Sequence, residues 1–140
     1  MITSCYAEYP GCVLDVENEA PELKAVASYH AGKGGRFWVA ERQGWVVASA
    51  GLLPADGGSI ELKKLYVLDS ARRSGLGGRL CELVEREARS LGAGYVELWS
   101  DTRFKEAHRL YERRGYVRGP RTRELRDLSA TVEYYFRKEL

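Results

Sequence analysis

The stretch RRSGLGGRL, Arg72 to Leu80, is the part of the sequence best built for chemistry. It sets Gly75, Gly77 and Gly78 among Arg72, Arg73, Ser74, Leu76 and Arg79, where a helix is about to begin. The first amides of a helix have no internal partner, and the helix dipole adds partial positive charge there. Such an end binds anions, phosphates above all. Glycines let successive N–H groups converge on one concavity and let a ligand approach without Cβ clashes. A bound diphosphate is one reading. A turn that merely needs unusual backbone angles is the other. A Walker-type loop is a poor match, because no Gly-Lys-Ser/Thr follows. A dinucleotide fingerprint also fits poorly, since Gly75-x-Gly77 runs on into Arg79 and Leu80 without a third glycine or alanine.

The elements that must position this turn follow from periodicity. FWVAE and WVVASAGLL read as strands joined at Gln43-Gly44, a tight hairpin pair. PADGG is a second turn, and SIELKKLYVL, Ser59 to Leu68, a third strand. Leu80, Cys81, Val84, Ala88 and Leu91 recur at helical spacing up to Gly92. YVELWS is then a strand, Arg103 to Arg114 a helix stopped by Gly115, and TVEYYFRKEL a closing strand. Strand, helix, strand in that order implies a crossover and at least one parallel pair. Ahead of these, Ala20 to Gly32 suits a short helix opened by Pro21. The expected fold is α/β, a mixed and mostly antiparallel sheet with packed helices. RGPRTRELRD, Arg118 to Asp127, reads as a solvated loop, or as a border that selects a carboxylate-bearing ligand through Arg121 and Arg123.

Length and composition set the outer bounds. The chain has 140 residues, suited to a single domain over 1–140, with 44% hydrophobic and 30% charged residues. Its net charge of +2 gives no argument for nucleic acid. No apolar run approaches the roughly 20 residues of a membrane helix. The opening MITSCYAEYPG lacks the basic start and apolar core of a signal peptide. Cys5, Cys12 and Cys81 are odd in number and lack Cys-x-x-Cys spacing, which argues against zinc and for free thiols in a reducing cytoplasm. Cys81 reads as a core residue, His108 as exposed on its helix, and Asp101 and Thr102 as caps. Trp38, Trp45, Trp99, Tyr134 and Tyr135 read mostly as core or sheet-face packing.

ELKKLYVLDSARRSGLGGRL closely resembles the acetyl-CoA signature of the GNAT family of N-acetyltransferases, a strand followed by Arg/Gln-x-x-Gly-x-Gly/Ala. Arg72, Gly75 and Gly77 match it. AHRLYERRGY, Ala107 to Tyr116, resembles a second family motif in the right order. The resemblance covers about Phe37 to Val117. It implies a GNAT fold with a splayed parallel pair, here with a shortened N-terminal region.

The resemblance also implies roles. The amides of Arg73, Ser74, Gly75, Leu76, Gly77 and Gly78 would hold the coenzyme A diphosphate, with Arg72, Arg73 and Arg79 beside it. Leu65, Tyr66 and Val67 would line the pantetheine arm, and the Leu65 or Val67 amide would donate to the acetyl oxygen. Glu61 matches a glutamate base that often acts through water. Period-two alternation places it on the face of Leu65. Tyr111 matches the acid that protonates the departing thiolate and touches the cofactor. Phe104 stands where relatives often carry an asparagine against the pantetheine arm. The implied reaction moves acetyl from acetyl-CoA to a primary amine, without metal. The alternatives are a non-catalytic acyl-CoA-binding sensor or partner subunit, and a protein lysine or N-terminal acetyltransferase. A homodimer through edge strands is compatible with the resemblance.

Overall fold

The computed structural model describes all residues from Met1 to Leu140. Helix α1 is Ile2–Tyr6. A 3-10 turn at Pro21–Ala25 leads into α2, Val26–Gly32. A meander follows of β1 (Arg36–Arg42), β2 (Trp45–Ala55) and β3 (Ser59–Val67). Helix α3 is Leu76–Ser90, β4 Tyr95–Asp101 and α4 Lys105–Arg113. The chain closes on β5 (Val117–Glu124) and β6 (Val132–Glu139). The six strands form one sheet in the order β1-β2-β3-β4-β6-β5. Only β3 and β4 run parallel.

Helix α3 forms because Leu80, Cys81, Val84 and Ala88 make one apolar stripe, all buried. The stripe packs on β2, β3 and β4 through Ala48, Leu52, Leu62, Val96 and Leu98. Burying each large aliphatic side chain contributes about 1.5–3 kcal/mol. As the sequence predicts, Cys81 is a core thiol, its pKa pushed up to about 12 by burial.

Three expectations need correction. Arg118 to Asp127 is not a solvated loop, because most of it is edge strand β5 against β6. Pro120 is tolerated there beside a register shift, where an edge needs no full ladder. His108 is buried, with Nε2 3.0 Å from the Asp101 carbonyl oxygen and its ring against Tyr134 and Phe136. Trp45 is no core residue; it is 76% exposed at the β1–β2 hairpin.

One buried charge ties the layers together. Glu85 of α3 is 2% exposed and accepts hydrogen bonds from Arg114 at 2.9 Å, Lys138 at 2.8 Å and the Tyr116 hydroxyl at 3.2 Å. Burial alone would raise its pKa. Hydrogen bonds and charge from Arg114 and Lys138 outweigh that and hold the carboxyl below its usual value. The stabilisation is therefore present above the ordinary glutamate pKa of about 4.3 and is lost as pH falls through the lower folded value. Glu85→Ala should cost about 3 kcal/mol at neutral pH in denaturant titrations. Glu85→Gln should flatten the loss of stability as the pH falls below the ordinary glutamate value. An unchanged acid limb would mean that Glu85 does not carry the linkage.

Candidate functional site

The site begins with a break in β3. Ser49 pairs with Tyr66 and Gly51 with Lys63, so β3 spends one residue more than β2 over this interval. Lys64 absorbs the extra residue at φ 54°, and the Ser49 hydroxyl donates to its carbonyl at 2.7 Å. A bulge of this kind flips the alternation beyond it. Ile60 and Leu62 lie in the core before the bulge, whereas Leu65 and Val67 pack against the core after it. Glu61 and Leu65 therefore occupy opposite faces, and the same-face expectation is corrected. The parallel pairing of β3 with β4 covers only Ile60↔Val96 and Glu61↔Glu97. Beyond Glu61 the two strands part.

A cavity of about 340 Å³ occupies the gap on the α3 side. Leu65, Tyr66 and Val67 line it from β3, and Arg72, Arg73, Gly75, Leu76, Gly77 and Gly78 from the turn. Gly75 sits at φ 79°, a left-handed angle that glycine takes without strain, and α3 starts directly after it. A Cβ at Gly77 would meet Leu110 at 3.0 Å, so the floor there is closely fitted. Phe104 lines the same cavity from the start of α4, in place of the asparagine the resemblance suggests. Three predicted cofactor-binding residues stand off this wall: Ser74, Arg79 and Tyr111. Ser74 gives its hydroxyl to the Ala71 carbonyl at 2.6 Å, and Arg79 is exposed off the cavity wall.

Arg72 is committed within the protein. Its guanidinium grips both carboxylate oxygens of Glu8, and its Nε donates to the Val67 carbonyl at 2.9 Å. This clamp draws the N-terminal segment onto the turn. Sequence reasoning missed the consequence that Cys5 and Tyr9 line the cavity. It also missed Arg109 and Arg113 on the facing wall. Their i, i+4 spacing on α4 was the available signal.

A second cavity of about 120 Å³ opens where the strands part. Leu65, Tyr66, Phe104 and Ala107 line both cavities. Tyr111 lines only the second. It is 5% exposed, and its hydroxyl makes no hydrogen bond within the chain. Burial raises its pKa well above the ordinary phenol value, with a smaller push from Cys81, so it stays a neutral donor. Glu61 lines neither cavity. It lies on the other sheet face, 3.3 Å from Lys63 and in register with Glu97. Arg121 and Arg123 are also off the walls: Arg121 lies 4.2 Å from the Tyr135 ring, and Arg123 4.4 Å from the Trp99 ring. Asp101 receives the backbone N–H of Arg103 at 2.9 Å and orders the turn before α4, although the N-cap residue itself is Phe104.

A sheet with one short parallel pair, a glycine turn at a helix start and a cleft between the parting strands defines a mixed α/β architecture opened at one strand pair. The model of the Acetyltransferase (GNAT) family matches residues 2–116, and the chain belongs to that family. It is 32% identical over 99 residues to the Escherichia coli protein called uncharacterized N-acetyltransferase YjgM, covering 69% of this chain and 59% of that one. It is 39% identical over 89 residues to an IAA acetyltransferase of Azospirillum brasilense, covering 61% and 57%. The matches thus span less than two thirds of these relatives' own lengths. Among solved structures, an acetyltransferase from Streptococcus agalactiae superposes with a TM-score of 0.80 at 24% identity, covering 99% of this chain and 88% of that one. A GNAT acetyltransferase from Elizabethkingia anophelis with acetyl-CoA bound superposes at 0.65 with 17% identity, covering 84% and 83%.

If the turn is a backbone cradle, Gly75 is its most sensitive position. Gly75→Val forces a β-branched residue to a positive φ, at a cost of about 1–3 kcal/mol. Calorimetry should show coenzyme A binding weakened about tenfold or more, while the thermal midpoint moves only a few degrees. Unchanged affinity would show that the turn does not hold the diphosphate.

Proposed function

We propose that this chain, as one domain over residues 1–140, transfers acetyl from acetyl-CoA to a primary amine by direct attack. The observation that carries the reading is the shared wall. Leu65, Tyr66, Phe104 and Ala107 separate a long cavity floored by a glycine cradle from a small polar one, so a donor and an acceptor could meet there.

In this reading the amides of the turn and the side chains of Arg73, Arg109 and Arg113 hold the phosphate groups of the donor. Arg72 fixes the turn through Glu8. The Leu65 amide, on a stretch of β3 that β4 no longer pairs, donates to the acetyl oxygen where negative charge develops. The amine nitrogen forms a bond to the carbonyl carbon, the C–S bond breaks, and its electron pair leaves with sulfur. Tyr111 supplies the proton that sulfur takes up. Glu61 takes the proton the amine loses, through water, because its carboxylate lies on the open face and not on the cavity wall. Solvent restores both groups, and no metal enters the balance.

Tyr111→Phe should lower turnover about a hundredfold and leave acetyl-CoA affinity within about twofold in a thiol-release assay. Unchanged turnover would remove Tyr111 from the chemistry. Glu61→Gln should lose about a hundredfold at neutral pH, narrowing as the pH nears the amine's own value of about 10. A loss equal at all pH values would contradict a base role. Coenzyme A binding without thiol release on any amine would favour a non-catalytic sensor.

A further inference from the structure

The second cavity carries more information than its place beside the donor cleft. Asp101, Asp127 and Glu133 all line it. They come from different parts of the chain. Asp101 and Glu133 stand opposite each other in the β4–β6 register, and Asp127 sits in the connection between β5 and β6. Two of the three are matched by cations: Asp101 by Arg103 at 2.7 Å and Glu133 by Arg123 at 2.6 Å. Asp127 has no ion pair. Its oxygens accept only the Thr131 N–H at 2.8 Å and the Thr131 hydroxyl at 2.6 Å. Lys64, the one cation on the wall, is turned to Glu22 at 3.1 Å.

An acidic wall alone would not define a ligand. The independent observation is Tyr111, a residue 5% exposed on this wall whose hydroxyl has no hydrogen-bond partner within the chain. Tyr6 and Tyr66 add hydroxyls on the same wall, 3.3 Å apart. Burial pushes the Tyr6 phenol up, and the nearby Asp101 and Glu133 carboxylates push it the same way. Leu125, Leu62 and Leu98 supply apolar lining between these polar groups. The cavity's volume is about 120 Å³. The cavity thus joins a short apolar path to an excess of negative charge at one side.

We propose that the acceptor carries a second cationic group, as a short aliphatic diamine does, and that Asp127, backed by Asp101 and Glu133, binds it while Tyr111 faces the reacting amine. This rests on the acetyl-transfer reading for the reacting end only; the cation site stands on the wall itself. A carboxylate-bearing amine would meet like charge there, which reverses the preference expected from the Arg121 and Arg123 segment.

The test is calorimetric titration of the full chain, saturated with coenzyme A at low salt, with putrescine, butylamine and γ-aminobutyrate, followed by thiol release with the same compounds. Putrescine should bind about tenfold more tightly than butylamine, the scale of one hydrogen-bonded charge, and γ-aminobutyrate more weakly than either. Asp127→Asn, which keeps the oxygen that accepts from the Thr131 N–H, should bring putrescine to the level of butylamine. Equal binding of the first two compounds, or tighter binding of γ-aminobutyrate, would overturn the proposal. So would an Asp127→Asn variant with its putrescine preference intact. Tight putrescine binding without thiol release would leave the cation site standing and defeat the transfer reading. Thiol release at equal efficiency on putrescine and butylamine, with equal affinities, would defeat the cation site alone.

Discussion

The site depends on one extra residue in β3. A regular strand would continue its pairing with β4 and close the sheet. Instead Lys64 takes a positive φ, Ser49 captures its carbonyl, and the strand leaves its parallel partner after Glu61. Ser49 is 1% exposed, so the bulge is fixed from the core side. The flip in alternation keeps Leu65 and Val67 against the core while the strand diverges. Glu61, ahead of the bulge, lies on the face opposite Ile60 and Leu62 by ordinary alternation. One backbone irregularity therefore accompanies the cleft and sets which β3 side chains face the core on either side of it.

The rest of the molecule holds that opening at a fixed width. Glu85 joins α3 to Arg114 and Tyr116 after α4, and to Lys138 on β6. The helix that carries the glycine turn is thereby locked to the helix that carries Tyr111. At the other end, Arg72 joins the turn to Glu8, while Tyr6 and Tyr9 pack on Phe104. The N-terminal segment acts as a side wall to both cavities, and its placement depends on these tertiary contacts.

Much of the fold was legible because burial imposes periodicity. The stripe of α3, the meander and β4 follow directly from apolar spacing. The glycine turn was legible as a helix start that needs glycine backbone angles, and the family motifs placed the chain in the GNAT family. Strand β5 was hidden because Gly119, Pro120 and three arginines look solvated. In the structure Arg118, Arg121 and Arg123 lie across aromatic rings of β4 and β6, so their charge reports a sheet face. His108 was misread because its partner, the Asp101 carbonyl, is a backbone group that no side-chain pattern reveals. The bulge was invisible for a similar reason: Lys64 has no special tendency towards positive φ, and only the pairing with β2 demands it. Helix α1, with five residues, is too short to show a period of its own.

The central claim is that the parting of β3 from β4, with the glycine turn above it, is where the acyl donor lies. Backbone amide NMR with added coenzyme A tests it most directly. The account predicts the largest shifts at Leu65, Val67, Gly75, Gly77 and Gly78, with α2 and the β1–β2 hairpin unmoved. Saturable shifts centred elsewhere, or none at millimolar coenzyme A, would contradict it.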